Sequence, residues 1–467
     1  MATVRARVDA STEDELEKPR RRTRSAWQRY GFALLLVAIS LVYSVTITLR
    51  HTQEFSPVDE YMYYDALFKF EEHGMVRQGD DTGSEARKHV SCVGVFYQGK
   101  FGTWCPALDN EPEPYPFDGK STADAYTPAY ITTAYYGAHV FQALGVEDLL
   151  TAARLTSALW LAAGMAVLFA LLRSFRLRPL LAFALGLCYL GSPIAWWSGT
   201  FLTTDAPSLF FGALLMLLAR LLVTKRASGW WLVLAAVVAV IFKVTHVLAI
   251  GAAILYVLAT FYFRVSAKQP ALLRSPRRWR ELPNLSWIGY CVAGGVLAVT
   301  AQVIWLMIRA ANAVGPVPPV IPAKFGVGEL INQFTNFVTS TFDWNVSPGP
   351  IYPMPPYLSM PLMWTVLLSV VGSLLILPPR RNETGRALQV TAVWAGLLAA
   401  PMLAAALYFT QGYYFSIPGR YALSLLPVFL LFIGTVFPKR YLTSALLGYG
   451  IITIGWAIGY AFTAGHY

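Results

Sequence analysis

Charge is what this chain has least of. Asp, Glu, Lys and Arg make up 13% of its 467 residues, against about 25% in ordinary soluble domains. Hydrophobic residues account for 56%, and the mean hydropathy is +0.48. That balance excludes an ordinary soluble enzyme. Glycine-rich phosphate loops are missing as well: neither G-x-G-x-x-G nor a P-loop occurs, so no soluble nucleotide-binding domain is read here. The chain offers instead a series of apolar runs, each of the roughly 20 residues that a bilayer-crossing helix needs. The fold class expected is an all-α polytopic membrane protein.

The scarce charge is unevenly spread. The net charge of +11 sits in short basic segments, "KPRRRTR" (18–24), "RSFRLR" (173–178), "TKR" (224–226), "RSPRRWR" (274–280), "PPRR" (378–381) and "PKR" (438–440), each beside an apolar run. The stretch after the first run is acidic instead, with Asp109, Glu111, Glu113, Asp118 and Asp124. Basic residues stay on the cytoplasmic side, so the clusters orient the helices and no nucleic-acid partner is expected. Residues 1–28 read as a disordered cytoplasmic tail, and 29–467 as one transmembrane domain. The first run, 30–49, lacks a small-residue cleavage site and reads as a retained anchor.

With the N-terminus inside, about eleven spans follow: 30–49, 150–172, 179–195, 206–223, one from the "GWW" belt to Phe242, then 247–263, 286–308, 357–377, 388–409, 420–436 and 441–462. A large first outer loop, 50–149, contains a helix over 126–145 expected along the outer interface, and a second outer loop covers 311–356. This layout puts every basic cluster inside and both long loops outside. Cys188 and Cys291 lie in apolar runs as core thiols, whereas Cys92 and Cys105 share the outer loop, where an oxidising compartment permits a disulfide. The rival reading of that pair as metal ligands lacks matching His or Cys partners.

The few charges inside this scheme gather at one depth. Asp59 and Glu60 stand at the outer end of the first span and Asp205 at the outer start of the fourth. Lys243 and His246 interrupt an apolar run, Arg309 closes the seventh span, and Arg420 and Tyr421 open the tenth. An ionisable group at such a depth needs a partner, water or a cavity. Bland alternatives exist: Lys243 and Arg309 as snorkelling anchors, Asp205 as a helix cap in "TTDAP", His246 as an ordinary interfacial histidine. The Asp59–Glu60 pair, set among the rings of "PVDEYMYYDALF", is hardest to explain as solvated loop.

Sugar transfer to a hydroxyl fits these residue types. A single inverting displacement needs one carboxylate as base, and cations to meet the charge on a departing phosphate. Nucleotide sugars are absent from the outer side, so a transferase there needs a lipid-linked donor, whose phosphate lies at headgroup level.

The order of motifs resembles the GT-C superfamily of membrane glycosyltransferases, in the layout of protein O-mannosyltransferases and aminoarabinose transferases. "PVDEYMYYDA" after a long helix resembles their Asp-Glu motif, "YTPAYITTAYY" their interfacial helix, and "AARLTSALWLAAGMAVLFALLRSF", with Arg154 near its start, their next span. "TTDAPSLFFGALLMLLARLL" and "FKVTHVLAIGAAILYVLA" are similar to later spans, and "PGRYALSLLP" to a Gly-Arg-Tyr segment of a related bacterial family. The resemblance implies Asp59 as catalytic base, with Glu60, Asp205, Lys243, His246, Arg309, Arg420 and Tyr421 binding substrate, the cations at the lipid phosphate. It implies a polyprenyl-phosphate-sugar-dependent transferase of the EC 2.4 class, with no cofactor and no metal expected; in the minority of the superfamily that uses a divalent ion, Asp205 and Glu60 are the positions for it. Trp104, Tyr126, Trp196 and Trp344 are candidates for stacking on sugars. The large soluble C-terminal domain of better-known members is not found, so the outer loops are expected to select the acceptor.

Partners expected are a polyprenyl-phosphate-linked sugar, a glycan, lipid or protein acceptor, and membrane lipids. The Ala, Leu and Arg usage fits a GC-rich bacterial genome and hence the cell inner (plasma) membrane, with the site extracytoplasmic. Two other readings remain: a flippase or transporter of a lipid-linked sugar, and a ligase of a preassembled lipid-linked glycan.

Overall fold

The computed structural model describes residues 26–102, 105, 115–268, 270, 284–316, 325–339, 345–346, 349–350, 354–375, 382–411, 414, 417–436 and 440–464. Most of the expected tail, and the candidates Trp104 and Trp344, lie outside the described residues. The architecture is helical; the one ladder among the described residues pairs Asn345–Val346 with Gly349–Pro350.

The chain enters through α1 (Ala26–Thr48), then builds an outer layer from α2 (Glu60–His73), α3 (Ser84–Cys92) and α4 (Pro128–Ala143). The bundle follows with α5 (Leu149–Ser174), α6 (Pro179–Leu190), α7 (Pro193–Thr200), α8 (Ser208–Val223), α9 (Gly229–Phe242) and α10 (Val247–Lys268). Starts are marked where the sequence supplies oxygens and prolines. Thr127 accepts from the Ala129 amide with Pro128 as the first helical residue of α4, and Asp148 accepts from the Thr151 amide at 2.6 Å to start α5.

Among the described residues, eight helices are long and apolar enough to cross a membrane, or nine if α6 and α7 form one broken span. Two shorter apolar helices, α8 and α9, accompany them. The span expected over 179–195 is broken within its length. The chain bends by 75° between α6 and α7, at Gly191-Ser192-Pro193, where proline removes a backbone donor and clashes with the preceding turn. The polar interruption after Phe242 likewise becomes a short 3-10 turn, Val244–His246, between α9 and α10.

Two hydrophobic clusters form the interior. The larger fills the bundle; the second joins Phe55, Tyr63, Val90 and Tyr130 to the outer ends of α5 and α8 at Leu150 and Ala206. Buried polar bonds fasten the outer layer down. Arg154 on α5 donates to both oxygens of Glu60, at 2.9 and 2.8 Å, and to the carbonyls of Thr52 and Glu54. Arg309, near the end of the helix Ser286–Ala311, donates to Asp124 Oδ2 at 2.8 and 2.5 Å. Just beyond it, the Val314 and Gly315 amides donate to Gln78 O, a seam closed by Gly79 at φ 86°, where a Cβ would strike the Gly315 backbone. Cys92 and Cys105 are joined in a disulfide that clasps the loop after α3.

Removing one member of a buried pair strands the other charge, at a cost of about 3–5 kcal/mol. Arg154→Met is therefore expected to lower the unfolding temperature in detergent sharply, and Glu60→Gln in the same chain to restore part of the loss. A thermal scan of the two variants checks this.

Candidate active site

Asp59 and Glu60 are neighbours that the backbone sends apart. Asp59 adopts a left-handed conformation, φ 56° and ψ −13°, immediately before α2 begins at Glu60. That region is costly for a residue with a Cβ, and such outliers gather at functional sites. Glu60 turns inward, fully buried, with its oxygens taken by Arg154 and the amides of Ser56 and Leu202. Asp59 remains partly exposed, and its Oδ2 accepts from Arg420 Nη2 at 2.7 Å.

Arg420 arrives on the 3-10 turn Gly419–Leu425, which Pro418 sets up before the helix Leu426–Val436. That turn presses against α8 at backbone distance: a Cβ on Gly212 would lie 2.1 Å from Ser424 O. Arg420 Nε also stands 3.9 Å from Asp205 Oδ2. Asp205 occupies the turn before α8, yet the expected cap is not formed. Its Oδ1 receives Lys243 Nζ at 2.5 Å and its Oδ2 the indole N–H of Trp197 at 3.2 Å. The helix leaves its side chain uncapped because a buried ammonium competes more strongly for the carboxylate than an amide does. Burial pushes the Asp205 pKa up, but Lys243 and Arg420 outweigh it and hold the carboxyl below its ordinary value.

Lys243 sits at the break between α9 and α10 in extended backbone, so its side chain leaves the helical surface and turns inward. Its Nζ lies 5.5 Å from the ring centre of Tyr421 and 5.8 Å from that of Tyr126, within the range where a ring face attracts a cation. His246 stands behind the pair, with Nδ1 at 2.8 Å from Ala239 O and Nε2 at 3.0 Å from Ser208 Oγ. The carbonyl has no proton to give, so Nδ1 carries the hydrogen and Nε2 accepts.

The structure thus gathers Asp59, Asp205, Lys243, Arg420 and Tyr421, with His246 bonded to the first residue of α8. Glu60 and Arg309 are engaged elsewhere, on Arg154 and Asp124. A cleft of about 400 Å³ opens outward over Asp59 and Arg420, walled by Pro57, Val95, Gln98, Phe117 and Pro418. Sequence reasoning passed over Trp197 in favour of its neighbour Trp196, although both are buried. Asp124 was readable only as one of several acids in its stretch, and Phe117 was not singled out. Arg154 carried a signal, a cation within the first turns of an apolar run. Among the described residues no three His, Cys, Asp or Glu converge as metal ligands.

Fold and site together define a polytopic helical membrane protein with a charged pocket at one end of its bundle. Residues 133–273 match the family model described as dolichyl-phosphate-mannose-protein mannosyltransferase. That stretch contains Arg154, Asp205, Lys243 and His246, and the match bears out the resemblance to the GT-C superfamily of membrane glycosyltransferases. Among solved structures, that of ArnT from Cupriavidus metallidurans bound to undecaprenyl phosphate is similar at a TM-score of 0.44 and 17% identity, over 87% of this chain. The chain spans 60% of that structure's length. No curated protein matches.

The third acid of the α2 segment has a different part. Asp65 is buried, its Oδ1 accepting from the Gly83 amide at 2.6 Å. Burial pushes its pKa up to about 6, against the pull of Lys69. A carboxyl raised in the folded state keeps its proton longer than in the unfolded chain. Its contribution to stability is therefore full below about pH 4 and lost as the pH rises to about 6. Asp65→Asn is expected to raise the unfolding temperature above pH 6 and to flatten its dependence between those limits, read from thermal scans across that range.

Proposed function

We propose that the protein is an inverting glycosyltransferase that moves a sugar from a polyprenyl-phosphate carrier to an acceptor hydroxyl on the extracytoplasmic face of the inner membrane. One observation carries this reading: Asp59 meets Arg420 at 2.7 Å in the lining of the cleft, and Arg420 stands in turn 3.9 Å from the buried Asp205 that holds Lys243.

The two carboxylates have different capacities. Asp205 is buried and bonded at both oxygens, so it serves to hold Lys243 and Arg420 in place. Asp59 faces the cleft and is the group an acceptor reaches. Two cations and two carboxylates balance in this cluster, so a donor phosphate adds negative charge to a neutral set. Arg420 is shared between the two acids, and its passage to the phosphate releases Asp59 Oδ2. Asp59 then takes the acceptor proton as the hydroxyl oxygen bonds to the anomeric carbon. The bond from that carbon to the phosphate oxygen breaks, its electron pair leaving with the phosphate, and Lys243 and Arg420 meet the charge.

An apolar groove of about 310 Å³ between α9, α10 and the helix Ser286–Ala311 supports the lipid part of the reading. Val244, Val247, Gly295 and Val299 line it, and Val244 follows Lys243 in the sequence. A carrier chain laid there sets its phosphate beside that ammonium.

The test uses purified protein with a synthetic polyprenyl-phosphate sugar. Asp59→Asn is expected to cut turnover by about 100-fold or more, the lower range for lost general-base catalysis, while donor binding stays near wild type. Full turnover in that variant, or translocation of the donor without bond formation by the wild type, would overturn the reading. Arg420→Lys keeps the charge but loses the planar fork shared between Asp59 and Asp205. Donor affinity is expected to fall about tenfold, measured by displacement of a fluorescent polyprenyl phosphate.

A further inference from the structure

The cleft above Asp59 carries more information than the base at its floor. Its lining includes two charged residues, Asp59 and Arg420, and these are bonded to each other. Among the described residues no further cation lines it to receive a phosphate or carboxylate. The remaining lining is mixed: Pro57, Val95, Pro116 and Pro418 are apolar, while Gln98, whose amide donates to Pro57 O at 3.0 Å, carries polar groups. A neutral pyranose has matching surfaces, one apolar face of C–H groups and a rim of hydroxyls.

Phe117 stands out on this wall. It is 50% exposed; Tyr97 and Tyr136 are exposed as well, but neither of those lines the cleft. Its backbone is left-handed, φ 58° and ψ 37°, as is that of Asp118 at φ 54° and ψ 37°. Two successive residues with Cβ atoms in that region are rare, and the surrounding structure must hold them there. It does so on the C-terminal side. The Thr82 amide donates to Gly119 O at 2.7 Å, the Lys120 amide to Phe117 O at 3.0 Å and the Ser121 amide to Asp80 O at 2.9 Å. The outcome of this costly conformation is a large apolar ring left in water at the mouth of the cleft. A ring serving the core would be turned inward, as Phe55 and Tyr115 are.

We infer that Phe117 is the platform on which an uncharged sugar ring of the acceptor stacks above Asp59, so that the acceptor is a neutral glycan. The inference rests on the transferase reading for the word acceptor, but the platform itself is open to a direct binding test. Stacking on Phe117 covers one face of the pyranose and leaves its hydroxyl edge toward Asp59 and Gln98. Phe117 is a specificity-determining residue, with no part in proton transfer.

The experiment uses the full chain in detergent and methyl α-pyranosides of glucose, mannose and galactose as probes, read by saturation-transfer NMR. A serine-containing peptide serves as the competing class. Binding of at least one glycoside by the wild type is expected, weakened about tenfold in Phe117→Ala and retained in Phe117→Trp, with unchanged unfolding temperatures. Equal binding by the Ala variant, no glycoside binding by the wild type, or binding of the peptide in the sugar's stead would overturn the proposal. Donor consumption is measured separately. Glycoside binding that depends on Phe117 in a protein that never consumes donor would uphold the platform and remove the transferase reading.

Discussion

A charge taken out of water in this molecule has to bring its partner with it. Among the described residues, Asp59–Arg420, Glu60–Arg154, Asp205–Lys243 and Asp124–Arg309 are four pairs around the site that meet that condition, and each joins separate segments of the chain. Desolvating a lone ion costs several kcal/mol, and the loss is recovered only where geometry is good and the remaining hydrogen bonds are made. The pairs therefore act as pins. Two of them fix the outer layer to the bundle, one fixes the break between α9 and α10 against the start of α8, and one draws the Gly419–Leu425 turn up to the first residue before α2.

The division of labour between Asp59 and Glu60 follows from one backbone angle. With helical geometry at both positions, the two carboxylates would lie about a hundred degrees apart on one helix. The left-handed turn at Asp59 separates them further, so that one is consumed by the scaffold and the other faces the cleft. The rings of the same segment fill the layer between. Tyr63 is buried and bonds Thr204 at 3.1 Å, and Phe55 packs on Tyr61 and Tyr64. These aromatics are the second core more than they are a substrate groove.

Much of this was legible because charge is costly in an apolar chain. Lys243, Asp205 and Arg420 could be picked out by their setting alone, since each interrupts or borders a run that otherwise excludes charge. Their pairing was not legible, because partners 38 and 361 positions apart leave no periodicity to read. Arg309 shows the limit plainly: it borders an apolar run as the others do, but it points to Asp124, in the segment before α4. The helices were readable from apolar length, but the 75° bend between α6 and α7 was not, since Pro193 within an apolar run fits either a gentle kink or a break. Phe117 left no signal at all, because exposure and a left-handed backbone depend on what surrounds a residue.

The seam between Gln78 and the Val314–Gly315 amides has a mechanical meaning. The helix Ser286–Ala311 presents many of its apolar side chains, among them Val292, Val296, Val299 and Met307, to its surroundings. Its orientation in a bilayer therefore answers to the thickness of the hydrocarbon around it. Bonded at its upper end to Gln78 and through Arg309 to Asp124, it is a lever whose long arm lies in lipid and whose short arm carries the outer layer.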